Sequence, residues 1–223
     1  MRLLVATLLA AALLGYVPSA PATPLAAPGA TPPTIPDLSA WVDARGVPGR
    51  ATWRHAVHLS LPYEIRPGHN LPAPVATTVF IGYTQQALWL RFVATDPHPG
   101  NIRIKYRSHD NLDNNDDYVA LIFSPFNDSQ WGYEFACNAG GIEMDAYRQQ
   151  GHEYDSFNAI WTCRAHRTAN GYIVTMKIPF HSIKFPHSNR PQTWRMIFFR
   201  NWARSVRHQI VQSRFKGKRV VGS

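Results

Sequence analysis

The densest run of groups able to do chemistry is His109-Asp110-Asn111-Leu112-Asp113-Asn114-Asn115-Asp116-Asp117. Carboxylates and amide carbonyls packed this closely suit a hard cation such as calcium, which takes several oxygen ligands. The run lacks the glycine and the closing glutamate of an EF-hand loop. Two readings therefore stand: calcium held by Asp113, Asp116 and Asp117, or an Asx-rich turn capping a strand. A second group of carboxylates, Glu134, Glu143, Asp145 and Glu153, is close in sequence. Strand alternation puts Glu143 and Asp145 on one face of a hairpin. Glycosidic cleavage needs two carboxyls facing each other across a cleft, one with a raised pKa, and nothing flanking these residues marks such a cleft. A hydrolase of O-glycosyl bonds is the enzymatic alternative, with no catalytic residue assigned. Phosphate-binding loops, nucleophile elbows and zincin helices are absent from the sequence.

Aromatic side chains are the other resource. Trp131, Tyr133, Tyr147, Tyr154 and Trp161 fall in or beside strand-like segments. Sugars stack their C–H faces on such rings, provided the rings are exposed beside polar groups. The expected platform is Trp131 or Trp161, with Tyr133, Arg148, Tyr154 and Asn158 as polar neighbours. The competing reading is that these rings simply pack the core.

Elements that must carry these groups are strands. The runs 75–83 and 87–95 flank Thr84-Gln85-Gln86, and in the second Leu88, Leu90, Phe92 and Ala94 share one face. Further strands are expected at 101–106, 117–123, 132–137, 142–147, 160–167, 171–178 and 194–202. Asn138-Ala139-Gly140-Gly141 and Thr168-Ala169-Asn170-Gly171 make the hairpin turns between them. Only 53–59 and 179–183 invite a helical turn. Strands at this spacing predict an all-β chain folded as an antiparallel, jelly-roll-like sandwich. Leu90, Phe92, Val119, Leu121, Phe135, Val174, Met176 and Phe198 should lie inside it.

The ends of the chain set the compartment. Met1-Arg2, the apolar run 3–17 and the small residues after it make residues 1–22 a secretory signal peptide. The apolar run falls short of the roughly 20 residues a spanning helix needs. Residues 23–37, rich in Pro and Ala, read as a semi-extended linker. Cys137 and Cys163 suit an oxidising compartment, and a disulfide between neighbouring strands is expected; two buried free thiols are the alternative. The 223 residues carry 23 Lys and Arg against 14 Asp and Glu, a net charge of +9. All the acids precede Ser156, and the later basic residues mostly alternate with apolar ones, the pattern of a solvated strand face. No nucleic-acid partner is expected. Residues 211–223 read as a basic C-terminal tail.

Several of these segments, taken in order, resemble a known family. Asp116-Asp117-Tyr118-Val119-Ala120-Leu121-Ile122-Phe123-Ser124-Pro125-Phe126-Asn127-Asp128 is similar to the signature strand and turn of the family 9 carbohydrate-binding modules. Tyr133-Glu134-Phe135 with Asn138 and Gly140-Gly141, then Trp161, then the run 171–180 with Ile183, continue the resemblance, as does 192–200. Val42-Asp43 and Trp53-Arg54-His55-Ala56 resemble its opening segment. The likeness covers residues 33–209. It is greatest to the N-terminal modules of large secreted or outer-membrane bacterial proteins whose remainder resembles a membrane barrel.

The resemblance implies a sandwich over residues 38–210 that binds a polysaccharide or oligosaccharide. It implies a non-catalytic role in carbohydrate catabolism beside a glycoside hydrolase or a barrel, sometimes with calcium. Where sugar-binding members carry Trp, Glu and Arg, this sequence has Asn114, Ala120 and Ala136. An envelope interaction domain that has lost sugar binding is the alternative. The expected location is secreted, periplasmic or attached to the outer membrane.

Overall fold

The computed structural model describes residues 33–106, 108–127, 131–149, 152–154, 156–188, 190–204, 206–211 and 215–218. The expected signal peptide, the linker up to residue 32 and residues 212–214 and 219–223 of the tail lie outside the described residues. Fourteen strands follow in chain order: β1 (Val57–Ser60), β2 (Tyr63–Arg66), β3 (Leu71–Pro72), β4 (Thr77–Tyr83), β5 (Ala87–Thr95), β6 (Tyr118–Ser124) and β7 (Trp131–Asn138). Then come β8 (Glu143–Gln149), β9 (His152–Tyr154), β10 (Thr162–Thr168), β11 (Gly171–Pro179), β12 (Thr193–Ala203), β13 (Arg207–Val211) and β14 (Phe215–Lys218). Helical structure among the described residues is confined to 3-10 turns of three residues, including 52–54 and 180–182.

The strands form two antiparallel sheets. One has the order β1-β4-β5-β11-β10; the other has the order β3-β2-β13-β12-β6-β7-β8-β9, with β14 sharing the edge of β12 beside β13. The sheets pack face to face because alternate residues of their central strands are apolar. All eight residues expected inside, from Leu90 to Phe198, have no exposed surface. Each large side chain so buried contributes on the order of 2 kcal/mol of hydrophobic free energy. A smaller core covers the opposite face of the five-stranded sheet, where residues 38–56 fold over it and bury Leu38, Trp53, Ala56, Ala87 and Trp89.

Four sequence expectations are corrected. Ile35, assigned to the linker, is buried in the main core, and Leu38 N–H bonds to the Tyr83 carbonyl. Phe215–Lys218, assigned to a tail, is a strand paired with Thr193–Met196. Residues 101–106 are not a strand. The Arg103 N–H is taken by Asp117 Oδ2 at 2.8 Å and the Lys105 N–H by Asp116 Oδ1 at 2.7 Å. The Arg103 carbonyl accepts the Asp117 N–H at 2.9 Å, and the Lys105 carbonyl accepts Asn138 Nδ2 at 3.4 Å. One acidic turn thus occupies the groups that a neighbouring strand would have used. Cys137 and Cys163 do form a disulfide, with Cα atoms 6.4 Å apart. It joins β7 of one sheet to the edge strand β10 of the other, because the inward side of β7 faces β10 across the sandwich.

Gly171 opens β11 with φ of 142°. A Cβ there would overlap the Ala94 carbonyl oxygen, so the hairpin between β10 and β11 needs glycine at this position.

Candidate carbohydrate-binding surface

The register of β7 and β8 sorts the candidate residues. Tyr133 pairs with Tyr147, Phe135 with Asp145 and Cys137 with Glu143, and Tyr147 pairs in turn with Tyr154 of β9. Alternation sends these side chains, with Trp131, toward the five-stranded sheet, and sends Gly132, Glu134, Ala136, Ala146 and Arg148 to the opposite face.

An aromatic tract results near the sheet edge. Ring centroids run Phe126 to Trp131 at 4.7 Å, Trp131 to Tyr147 at 5.5 Å and Tyr147 to Tyr154 at 6.3 Å. Phe126 and Tyr154 are 42% and 46% exposed, whereas Trp131 and Tyr147 are half-buried. Tyr133 and Phe157 support them from below: Tyr133 is 5.6 Å from Trp131 and 5.3 Å from Phe157. Tyr133 itself is buried, its oxygen accepts the Lys184 N–H at 2.8 Å, and burial pushes its pKa up.

Of the six residues expected to form the platform, the structure brings three to the surface of this region. Trp131 and Tyr154 belong to the tract, and Asn158 is exposed. Trp161 is in the core instead, edge-on to Phe135 at 5.0 Å, with its indole N–H donated to Asp145 at 2.9 Å. A ring with both faces packed offers no stacking surface. Arg148 lies on the other face of the sheet, buried and ion-paired with Glu134. Phe126 joins the tract without having been singled out; its one sequence signal was its place in the Pro125-Phe126-Asn127 turn.

A groove of about 780 Å³ is lined by Gln85, Gln86, Lys177, Pro179, Phe180, His181, Ile183, Lys184, Phe185 and His187, with no Asp or Glu in its lining. The backbone of Lys184 joins it to Tyr133.

The expected calcium ligands do not converge. Asp117 is buried and accepts from the Arg103 N–H and from Arg204 Nη1 at 2.7 Å. Asp116 accepts the Lys105 N–H, and Asp113 accepts Lys105 Nζ and the Asn115 amide. Each carboxylate is committed to its own donors, as the Asx-turn reading requires. Of the carboxylates grouped in the sequence, Glu134 lies on the opposite sheet face from Glu143 and Asp145, which stand two residues apart on the same face of β8. Burial raises the pKa of both Glu143 and Asp145.

No family model and no curated protein matches the sequence. Solved structures do. A family 9 carbohydrate-binding module from Caldicellulosiruptor kristjanssonii in complex with glucose superposes with a TM-score of 0.59 at 13% identity, over 85% of this chain and 97% of that one. The fold is that of the family 9 carbohydrate-binding modules. A module from the same organism in complex with cellotriose gives 0.54 at 13% identity, over 76% and 86% of the two chains. A protein of Bacteroides uniformis provisionally described as carbohydrate-binding gives 0.59 at 12% identity, over 74% and 86%. Within this family 9 fold, Ala120 and Ala136 are cross-strand partners, fully buried on the face that carries Glu134 and Arg148. The two methyl groups offer no hydrogen bonds there.

Proposed function

We propose that this domain is a non-catalytic carbohydrate-binding module that grips its ligand by stacking on the tract Phe126–Trp131–Tyr147–Tyr154. The observation that carries the reading is this run of rings, open to solvent at both ends, on a fold shared with modules solved with glucose and cellotriose. Lys184 and the uncharged and basic side chains of the adjoining groove supply the polar rim. The expected signal peptide supports binding outside the cytoplasm, beside a glycosidase or an outer-membrane barrel. Few hydrogen bonds back the stacking, so affinity is on the order of millimolar, equivalent to about 4 kcal/mol.

Affinity electrophoresis through polysaccharide gels, neutral and uronate-bearing, tests this with wild type, Trp131→Ala and Tyr154→Ala. Retardation of the wild type, lost in both variants with circular dichroism unchanged, is the expected result. Equal retardation of all three moves the platform elsewhere. If no gel retards the wild type, the chain is instead an interaction domain that has lost sugar binding, the reading favoured by the buried Trp161 and by the alanines at 120 and 136.

A further inference from the structure

Acidic residues are unevenly shared between the two sheets. Among the described residues, every Asp or Glu that lies in a strand belongs to the larger sheet: Glu64, Glu134, Glu143, Asp145 and Glu153. The five strands of the smaller sheet, β1, β4, β5, β10 and β11, contain none. They carry Arg91, Arg164, Arg167 and Lys177 instead.

Register gathers three of these cations around one threonine. Thr175 on β11 pairs with Arg91 on β5 and with Arg164 on β10, and Lys177 stands two residues further along β11. This side of β11 points away from the main core, which Tyr172, Val174, Met176 and Ile178 fill from the other side. Neighbouring strands lie about 4.8 Å apart and alternate residues of a strand about 6.7 Å apart, so the three backbone positions fall within about 10 Å of one another. At that range charges still act on each other at ordinary ionic strength.

These charges are uncompensated. Elsewhere the protein pairs its cations: Arg148 with Glu134, Arg204 with Asp96 and Asp117, Lys105 with Asp113. Arg91, Arg164 and Lys177 have no ion pair among the described residues. Arg91 lies over the Trp53 ring at 6.0 Å and Lys177 over the Trp89 ring at 5.6 Å, contacts that orient the two side chains without bringing a negative charge. Burial, and after it the nearby charge of Arg50, holds the Arg91 guanidinium below its ordinary pKa. Like charges gathered on one sheet face oppose folding, so the negative charge that would relieve them has to come from a partner.

Lys177 also lines the acid-free groove, together with Lys184 and the amides of Gln85 and Gln86. The cationic strip therefore runs from an open sheet face into a concave site that adds amide groups to ammonium groups. Carboxylates are matched by the lysine and guanidinium groups, and sugar hydroxyls by the amides. The indoles beneath the strip, Trp53 and Trp89, are buried and offer no face on which a nucleic-acid base could stack. We propose that this strip, from the groove across Lys177 to Arg91 and Arg164, binds an acidic polysaccharide, with sugar carboxylates on the three cations and hydroxyls on the groove amides. The inference rests on the carbohydrate-binding reading of the domain, though not on the aromatic tract, whose strands β7, β8 and β9 belong to the other sheet.

Titration calorimetry of the intact chain decides it, with oligogalacturonate and a neutral cello-oligosaccharide of equal length as probes. Wild type should bind oligogalacturonate the more tightly, and added salt should weaken that binding. Arg164→Gln and Lys184→Gln, both at exposed positions, should each weaken it about threefold, and the triple variant with Lys177→Gln more than about tenfold. Arg66→Gln, which removes an exposed arginine of the larger sheet, should leave it unchanged. Near-ultraviolet circular dichroism confirms the fold of each variant. The cello-oligosaccharide arm, repeated with Trp131→Ala, reads the aromatic tract alone, so either reading can fail without the other. Oligogalacturonate affinity equal in the triple variant and the wild type, no binding of oligogalacturonate by the wild type, or equal affinity for single-stranded DNA or for phosphatidylglycerol vesicles would each overturn the proposal.

Discussion

Removing the Cys137–Cys163 disulfide should cost this protein much of its stability, and the amount follows from the positions of the two residues. The bond spans 26 residues and ties the core strand β7 to β10, an edge strand whose one strand partner is β11. Closing a loop of that length in the unfolded chain removes about 12 cal/mol/K of entropy, or about 3.5 kcal/mol at 25 °C. For a domain of this size each kcal/mol moves Tm by about 2–4 °C, so the double variant Cys137→Ala/Cys163→Ala should melt about 7–14 °C lower. Alanine suits both sites, since the fully buried Cys137 tolerates no polar replacement. The assay is denaturant unfolding of the variant beside oxidised and reduced wild type, with hydrogen exchange read strand by strand. Exchange should accelerate most in β10, which would lose its one covalent tie to the opposite sheet. A loss below about 1 kcal/mol, or acceleration spread evenly over both sheets, would refute the reasoning.

Gly171→Ala should destabilise by about 2–4 kcal/mol in thermal melts, because the new methyl group overlaps the Ala94 carbonyl oxygen at a backbone angle closed to alanine. Arg148→Ala, which removes the ion pair to buried Glu134, should cost about 3–5 kcal/mol, and Glu134→Gln/Arg148→Met should recover part of it in a double-mutant cycle. Trp161→Ala should cost about 3–5 kcal/mol in urea unfolding by removing a core ring, unlike Trp131→Ala, whose ring is half-buried. Burial raises the Asp117 carboxyl above its ordinary 3.8, against the lowering by the Arg103 N–H and Arg204. A carboxyl raised by folding stabilises at a pH below its unfolded value, and that contribution is lost as pH rises through the folded one. Wild type should therefore lose stability relative to Asp117→Asn between about pH 4 and neutrality, measured by urea midpoints; a difference that is flat or grows with pH would contradict this.

Long strands were legible because alternation and turn chemistry act locally. Leu90 to Ala94 and Tyr172 to Ile178 alternate cleanly between buried and part-exposed, and Gly140-Gly141 and Asn170-Gly171 announce their hairpins. Val57–Ser60, Arg207–Val211 and Phe215–Lys218 were not legible. They are short and polar, and partners far along the chain hold them in place: Val57 pairs with Ile81, Ile210 with Glu64, and Phe215 with Met196. The same limit applies to the site. Composition placed aromatic rings near β7 and β8, but only packing between the sheets decides that Trp161 is enclosed and Trp131 half-open. The shared face of Glu143 and Asp145 could be read from alternation; the approach of His109 to both, from more than thirty residues earlier, is a tertiary event with no local signature.

The carboxylates of Asp116 and Asp117 hold Arg103 and Lys105 where a strand would otherwise have lain, and this bears on how the protein behaves when crowded. A bare strand edge is a template on which another molecule can add a strand, the first step toward self-association. Here the N–H groups at 103 and 105 and the carbonyls of the same two residues are all engaged by side chains and backbone of one chain. The acidic turn thus acts as a fixed, intramolecular substitute for a partner strand, and the side of the backbone that residues 103 and 105 present has nothing left to offer a second copy.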